Sequence, residues 1–173
     1  MKADVLVILA ALVAAPLLAE VPESVDPALI PNYVILRPGL AAGGQPTPEG
    51  LRQLKAQGFR TVINLRTDAE GGASEEEEAV KAQGLRYVRV PITAASFGLP
   101  DVAAVRAVLD DPSAPPVLLH CSSSNRVGGV WAVIQSQQGK DPEEAEAEGR
   151  RAGLHSEAMA EAARRVIRES APR

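Results

Sequence analysis

Three short apolar runs alternate with helical segments along this chain, and the alternation restricts the folds that it can adopt. The runs cover residues 60–65 (RTVINL), 85–92 (LRYVRVPI) and 116–120 (PVLLH), and a shorter β-prone run covers 33–36. Buried strands that alternate with helices build layered α/β domains with parallel sheets. The sequence therefore predicts a single α/β domain with a mostly parallel central sheet flanked by helices.

Helix-start signals precede several of the predicted helices. Thr47 and Asp141 are N-cap residues, each followed by proline at the first helical position. Ser74 with Glu77 three residues later predicts a capping box. We interpret the acidic run Glu75–Glu78 as the solvated first turn of that helix, where negative charge suits the helix dipole, and not as a metal site.

The N-terminal residues resemble an export signal. A lysine at position two precedes the apolar run 5–18, which is shorter than the roughly 20 residues that span a membrane. We expect cleavage near Ala19, which would place the mature protein in the periplasm or outside the cell. The predicted organisation is a signal peptide (1–19), a proline-rich linker or arm (20–32) and one domain (33–173).

Composition excludes several classes of function. The net charge of −4 and the aromatic content of 3% argue against a nucleic-acid partner, which would favour a basic, aromatic surface. One cysteine and two histidines exclude an intrachain disulfide framework and a multi-cysteine or histidine-rich metal site. We therefore predict no metal and no cofactor.

One segment carries chemistry, and it follows the third apolar run. Its residues are His120, Cys121, Ser122, Ser123, Ser124, Asn125 and Arg126, with a helix beginning near Arg126. The strand delivers Cys121 to the carboxyl edge of the sheet, where open α/β sheets bind ligands. Backbone N–H groups at a loop that opens into a helix bind anions, so we expect Ser122, Ser123, Ser124, Asn125 and Arg126 to bind the substrate. The same field favours a thiolate. The Arg126 guanidinium offers a planar fork for two oxygens of an oxyanion.

A buried cysteine at a strand end is often only a small apolar residue. Here the following residues, 122–126, are polar or cationic, which a core cysteine does not require. We therefore interpret Cys121 as a reactive thiol. His120 is either a buried histidine satisfied by the backbone or a residue that shapes the loop and supports the thiolate.

Four segments together resemble a known family. They are GGQPTPEGLRQL (43–54), TVINLR (61–66), HCSSSNRVG (120–128) and PEEAEAEGRRAGL (142–154). The chain resembles the β-lactamase-hydrolase-like phosphatase family, a bacterial branch of the cysteine-dependent tyrosine and dual-specificity phosphatases. The resemblance implies a phosphatase-like fold with Cys121 as nucleophile and Arg126 as phosphate ligand. It also implies that Gln45 and Arg66 face the same sheet edge.

The sequence departs from the phosphatase pattern at four places. Well-known tyrosine phosphatases have five residues between the cysteine and the arginine, whereas this chain has four. Ser124 stands where family loops usually have glycine, and a positive φ there would cost roughly 1 kcal/mol or more. Val127 replaces a hydroxyl residue that helps the thiolate leave the intermediate. The loop 93–98 lacks the expected acidic residue, so Asp68 is the candidate general acid.

Three functions remain open at this point. The first is a phosphatase that works through a cysteinyl-phosphate on a small molecule or phosphoprotein. The second is a rhodanese-like sulfurtransferase that carries sulfane sulfur on Cys121, because such enzymes commonly use a six-residue loop and need no general acid. The third is an inactive module that binds an oxyanion or a phosphoprotein, suggested by Ser124 and Val127.

Overall fold

The computed structural model describes residues 20–170, and the predicted signal segment lies outside them. The strands are β1 (Val34–Arg37), β2 (Leu40–Gly43), β3 (Thr61–Asn64), β4 (Arg86–Arg89) and β5 (Val117–His120). The helices are α1 (Pro48–Gln53), α2 (Ala73–Lys81), α3 (Leu99–Leu109), α4 (Asn125–Gln137), α5 (Pro142–Arg151) and α6 (Glu157–Ser170).

The five strands form one sheet in the order β1-β2-β5-β3-β4. Only the β1–β2 pair is antiparallel; β2, β5, β3 and β4 run parallel. The predicted α/β domain with a mostly parallel sheet is therefore confirmed. The central strand is β5, so the sheet presents the end of that strand, and the cysteine after it, in the middle of its carboxyl edge.

Alternate residues of the strands face two separate cores. One face carries Ile63 and Leu119 toward a large core that also contains buried side chains of α3, α4 and α6. The other carries Val62 and Leu118 toward a smaller core that includes residues of α1 and α2. Ile30 is fully buried in this second core, so the segment before β1 packs on the domain. Within residues 20–170, none of the helices is both long and apolar enough to cross a bilayer.

Helix α4 crosses α5 at unusually short range because each contributes a glycine. A Cβ at Gly128 would lie 2.4 Å from the carbonyl oxygen of Gly149, and a Cβ at Gly149 would lie 2.6 Å from the carbonyl oxygen of Gly128. Real Cβ atoms do not approach backbone that closely, so both positions require glycine. This contact fixes α5, and the turn after it, against the first turn of α4.

Two local predictions were wrong, and one strand was missed. Strand β2 was not predicted, because its residues LAAG are small and lack β-branching. Helix α2 begins at Ala73 after Gly72, so Ser74 does not cap it. Glu76 is 1% exposed, although the acidic run was predicted to be solvated. By contrast, Thr47 and Asp141 cap their helices as predicted, each accepting a backbone N–H.

Candidate active site

The loop that follows β5 is fastened to the neighbouring strand β2. The Cys121 amide donates to the Gly43 carbonyl at 3.4 Å, and the Gln45 amide donates to the Ser122 carbonyl at 3.1 Å. Cys121 is a free cysteine and is 1% exposed. The structure therefore holds the thiol at the carboxyl end of the central strand, just before helix α4.

Ser124 lies in the left-handed region of backbone conformation, where glycine is the usual residue. Its φ is +66°, it is fully buried, and it immediately precedes Asn125, the first residue of α4. A residue with a side chain is strained in this conformation by about 1–2 kcal/mol. The loop is therefore folded as a glycine-type turn although serine stands there.

The turn between α5 and α6 packs directly against this strained residue. Gly153 has φ +110°, and a Cβ there would lie 2.4 Å from the Ser124 Cβ. Gly139 has φ +100°, but a Cβ there would meet nothing within 4 Å. The two glycines therefore share a strained backbone and differ in their contact with the loop.

We expect Gly153→Ala to destabilise the fold more than Gly139→Ala. Both changes add the strain of a positive φ, but only the first also overpacks the loop, at a cost of about 1–3 kcal/mol. Urea unfolding of both variants measures the difference in stability. Titration with tungstate, a tetrahedral oxyanion, shows whether the loop after β5 still binds an anion. Equal losses in the two variants, with unchanged tungstate affinity, would contradict the prediction.

The Asn125 side chain ties the loop to the start of α6. Its Oδ1 accepts the amides of His155 (2.9 Å) and Ser156 (3.0 Å), and its Nδ2 donates to Ser156 Oγ at 2.8 Å. Asn125 was predicted to bind substrate. Its side-chain amide is engaged in this anchor, and the residue lines the cavity beside Arg126.

The Arg126 guanidinium holds a carboxylate at the mouth of the loop. Its Nη1 and Nη2 donate to the two oxygens of Glu70 at 2.6 and 2.7 Å, which is a bidentate pair. Nη2 also donates to Ser122 Oγ at 3.1 Å, and Ser122 in turn donates to Glu70. Nη1 donates to the Ile92 carbonyl at 3.2 Å. The side chain is only 15% exposed, so its fork has a fixed direction.

These contacts shift the pKa values of both partners. The hydrogen bond from Arg126 holds the pKa of the Glu70 carboxyl well below its usual range, against the opposing effect of burial. The pKa of the Arg126 guanidinium is raised first by Glu70 and also by hydrogen bonding and attraction to Cys121. Arg126 therefore interacts with Cys121 and with the Glu70 carboxylate at the same time.

The predicted general acid and the carboxylate at the loop are different residues of one 3₁₀ turn, Asp68–Glu70. The Asp68 carboxylate pairs with Arg89 at 2.5 Å, and its side chain is 85% exposed. Glu70 turns toward the loop instead. Sequence reasoning missed Glu70, although its place after β3, next to β5 in the sheet, was an available signal.

A buried polar cluster lies beneath the loop, around Glu76. Its carboxylate oxygens are hydrogen bonded to His120 Nε2 (2.8 Å), Gln45 Nε2 (2.7 Å) and Asn64 Nδ2 (3.1 Å). Arg66 donates to Gln45 Oε1 at 2.6 Å, so the two residues expected at this edge meet there. Burial tends to raise the pKa of Glu76, but the hydrogen bonds and charge of His120, with the bond from Gln45, lower it overall. His120 is thus bonded through Nε2 to Glu76 rather than to the backbone, and among the described residues its buried Nδ1 has no hydrogen-bond partner.

A cavity of about 290 Å³ opens beside the arginine. Its lining includes Thr67, Glu70, Thr93, Ala94, Ser123 and Arg126. Ala94 belongs to the loop after β4, in which Thr93 and Ser96 bond to each other. The cavity is therefore reached by Arg126 and Glu70, and the loop after β4 adds no carboxylate to it.

Comparison with known proteins gives a family match over most of the domain. The family described as the phosphatase-like domain of beta-lactamase hydrolase-like protein matches residues 32–138. The beta-lactamase hydrolase-like protein of Xylella fastidiosa is 31% identical over 105 residues, and that of Agrobacterium fabrum is 28% identical over the same length. The match covers 58% of this chain but 24% of each relative, so the chain spans about a quarter of their length.

Solved structures share the fold at low identity. TpbA of P. aeruginosa is 23% identical with a TM-score of 0.65, and the match covers 91% of this chain and 92% of TpbA. The core catalytic domain of the PP-IP phosphatase Siw14 of S. cerevisiae is 16% identical with a TM-score of 0.63, covering 75% of this chain and 82% of that domain. A cysteine-to-serine form of TpbA has been solved with phosphotyrosine.

Proposed function

We propose, from the premise that this chain belongs to the phosphatase-like domain family of beta-lactamase hydrolase-like proteins, that it hydrolyses phosphate monoesters through a covalent intermediate on Cys121. The observation that carries the proposal is the bidentate hold of Arg126 on the Glu70 carboxylate. A planar fork that already binds two oxygens of one anion suits two oxygens of a phosphate.

In the proposed reaction, the Cys121 thiolate attacks phosphorus and forms an S–P bond while the ester P–O bond breaks. Arg126 and the backbone N–H groups of residues 122–126 hold the non-bridging oxygens, where negative charge develops in the transition state. Water then attacks the phosphocysteine, and inorganic phosphate leaves as the thiolate is restored. The thiolate is the nucleophile, so the reaction requires no metal.

Sulfurtransfer is the second candidate, and the length of the loop favours it. Four residues separate Cys121 from Arg126, and the loop 93–98 has no carboxylate. In this chemistry, the thiolate takes the outer sulfur of thiosulfate, releasing sulfite, and the persulfide passes that sulfur to cyanide as thiocyanate. The sum of the two steps restores the thiolate and needs no proton donor.

One pair of assays separates the candidates. We expect purified protein to release p-nitrophenol from p-nitrophenyl phosphate, Cys121→Ser to abolish that release, and thiosulfate with cyanide to give no thiocyanate. Thiocyanate alone, dependent on Cys121, would replace the phosphatase with the sulfurtransferase. Neither product, with tungstate still bound, would identify an oxyanion-binding module, for which the strained Ser124 and Val127 in place of a hydroxyl are the supporting features.

A further inference from the structure

The phosphatase proposal leaves the leaving group without a proton donor, because the cavity-facing loop after β4 carries no acid. The carboxylate at the site is Glu70, which contacts both Arg126 and Ser122. We propose that Glu70 is the general acid: Arg126 holds it while the site is empty, and an incoming phosphate releases it to protonate the leaving oxygen. This inference rests on the proposed phosphatase function.

The release follows from competition for one cation. Both Glu70 oxygens already accept hydrogen bonds from Nη1 and Nη2 of Arg126. A phosphate that binds Arg126 through two oxygens needs the same N–H groups. Binding of substrate therefore breaks the ion pair and turns the Glu70 carboxylate out of the fork. Ser122 Oγ, which donates to Glu70, becomes free at the same moment to donate to the phosphate.

The released carboxylate stays beside the substrate because its backbone is pinned. Arg66 Nη2 donates to the carbonyl oxygens of Glu70 and Gly71, each at 3.0 Å. Thr67 with Glu70 closes the turn through a backbone bond of 3.2 Å. The Glu70 Oε2 also accepts the Thr67 backbone N–H (2.8 Å) and Oγ1 (3.1 Å), which keep the carboxylate at this turn. The Glu70 side chain lines the same cavity as Arg126.

Substrate binding also supplies the condition for proton uptake. The charged groups that face Glu70 are Arg126 and Arg66, whose Nε lies 3.6 Å from Oε1. Loss of the bond to Arg126 and the arrival of a phosphate dianion both favour the protonated carboxyl. Its O–H proton then passes to the leaving oxygen as the P–O bond breaks. The resulting carboxylate accepts a proton from the water that later attacks the S–P bond.

The test compares Glu70→Gln with wild type on esters of different leaving groups. We expect Glu70→Gln to lower kcat for phosphotyrosine about a hundredfold or more, because a poor leaving group needs the proton. For p-nitrophenyl phosphate, whose leaving group departs as an anion, the loss should stay within about tenfold. Tungstate affinity should rise about tenfold, since a neutral amide competes less well for Arg126.

The controls separate the two proposals. Glu77→Gln, which changes a half-buried carboxylate paired with Lys81, should behave as wild type in both assays. Equal loss on both esters, no loss on either, or unchanged tungstate affinity in Glu70→Gln would overturn the role of Glu70. So would the leaving-group effect appearing in Asp68→Asn instead. Wild-type protein inactive on every ester would overturn the phosphatase itself, an outcome distinct from an active wild type that Glu70→Gln leaves unchanged.

Discussion

Replacement of Arg126 by methionine should weaken tungstate binding at least tenfold and lower kcat/KM for p-nitrophenyl phosphate about a hundredfold or more. Methionine fills the partly buried volume of the arginine stem but deletes the fork that binds oxygens. A bidentate charge-assisted contact contributes about 1.5–3 kcal/mol to binding, and loss of one transition-state donor typically costs about 10²–10³ in rate. Calorimetric titration and steady-state kinetics measure the two effects.

The same substitution at a second paired arginine provides the control. Arg86 begins β4, at the sheet edge opposite the loop, and pairs with Asp111 at 2.6 Å. Arg86→Met should therefore change neither tungstate affinity nor kcat/KM. Cys121→Ser keeps the loop donors and the Arg126 fork, so it should bind tungstate at least as tightly as wild type. Equal tungstate affinity in wild type and Arg126→Met would mean that the loop is not an oxyanion site.

The sequence predicts the part of the site whose residues are contiguous in the chain. An apolar strand, a cysteine, a polar loop and a helix follow one another from 117 to 137, and each carries its own local signal. Because the strand fixes one end of the loop and the helix the other, the positions of Cys121 and Arg126 follow without knowledge of other contacts. The resemblance marked Ser124 as a position where family loops usually have glycine, with strain if φ is positive, and the structure has φ +66° there.

The contacts that complete the site are non-local, and local patterns do not predict them. Glu70 meets Arg126 across 56 residues of chain, and Glu76 meets His120 across 44. The sequence showed Glu76 only as one of four consecutive acids, a pattern that usually marks a solvated helix face. The helix phase that buries this one acid depends on how α2 packs on α1 and β4. Strand β2 was missed for a related reason: its small residues form a strand because β1 and β5 flank them.

Truncation of Glu76 to alanine should destabilise the fold by about 3–5 kcal/mol, the effect typical of removing one member of a buried ionic pair. The change leaves His120, Gln45 and Asn64 without their shared acceptor, and the His120 and Asn64 side chains are fully buried. Glu78→Ala, at an exposed position of the same helix, should stay within about 0.5 kcal/mol of wild type. Urea unfolding at neutral pH measures both, and equal values would contradict a stabilising role for the cluster.

The pH dependence of unfolding is a second test of how the Glu76 cluster stabilises the fold. The folded-state pKa of Glu76 lies below its ordinary value of 4.5. Its ionised form therefore stabilises the fold fully above about pH 4.5, and that stabilisation is lost as the pH falls through the folded-state pKa. Glu76→Gln keeps the shape and removes the charge, so its stability should fall less steeply than that of wild type below pH 4.5. His120, which bonds Glu76, directly precedes Cys121 in the chain. If Glu76→Gln folds but binds tungstate weakly, the cluster positions the loop as well as stabilising the domain.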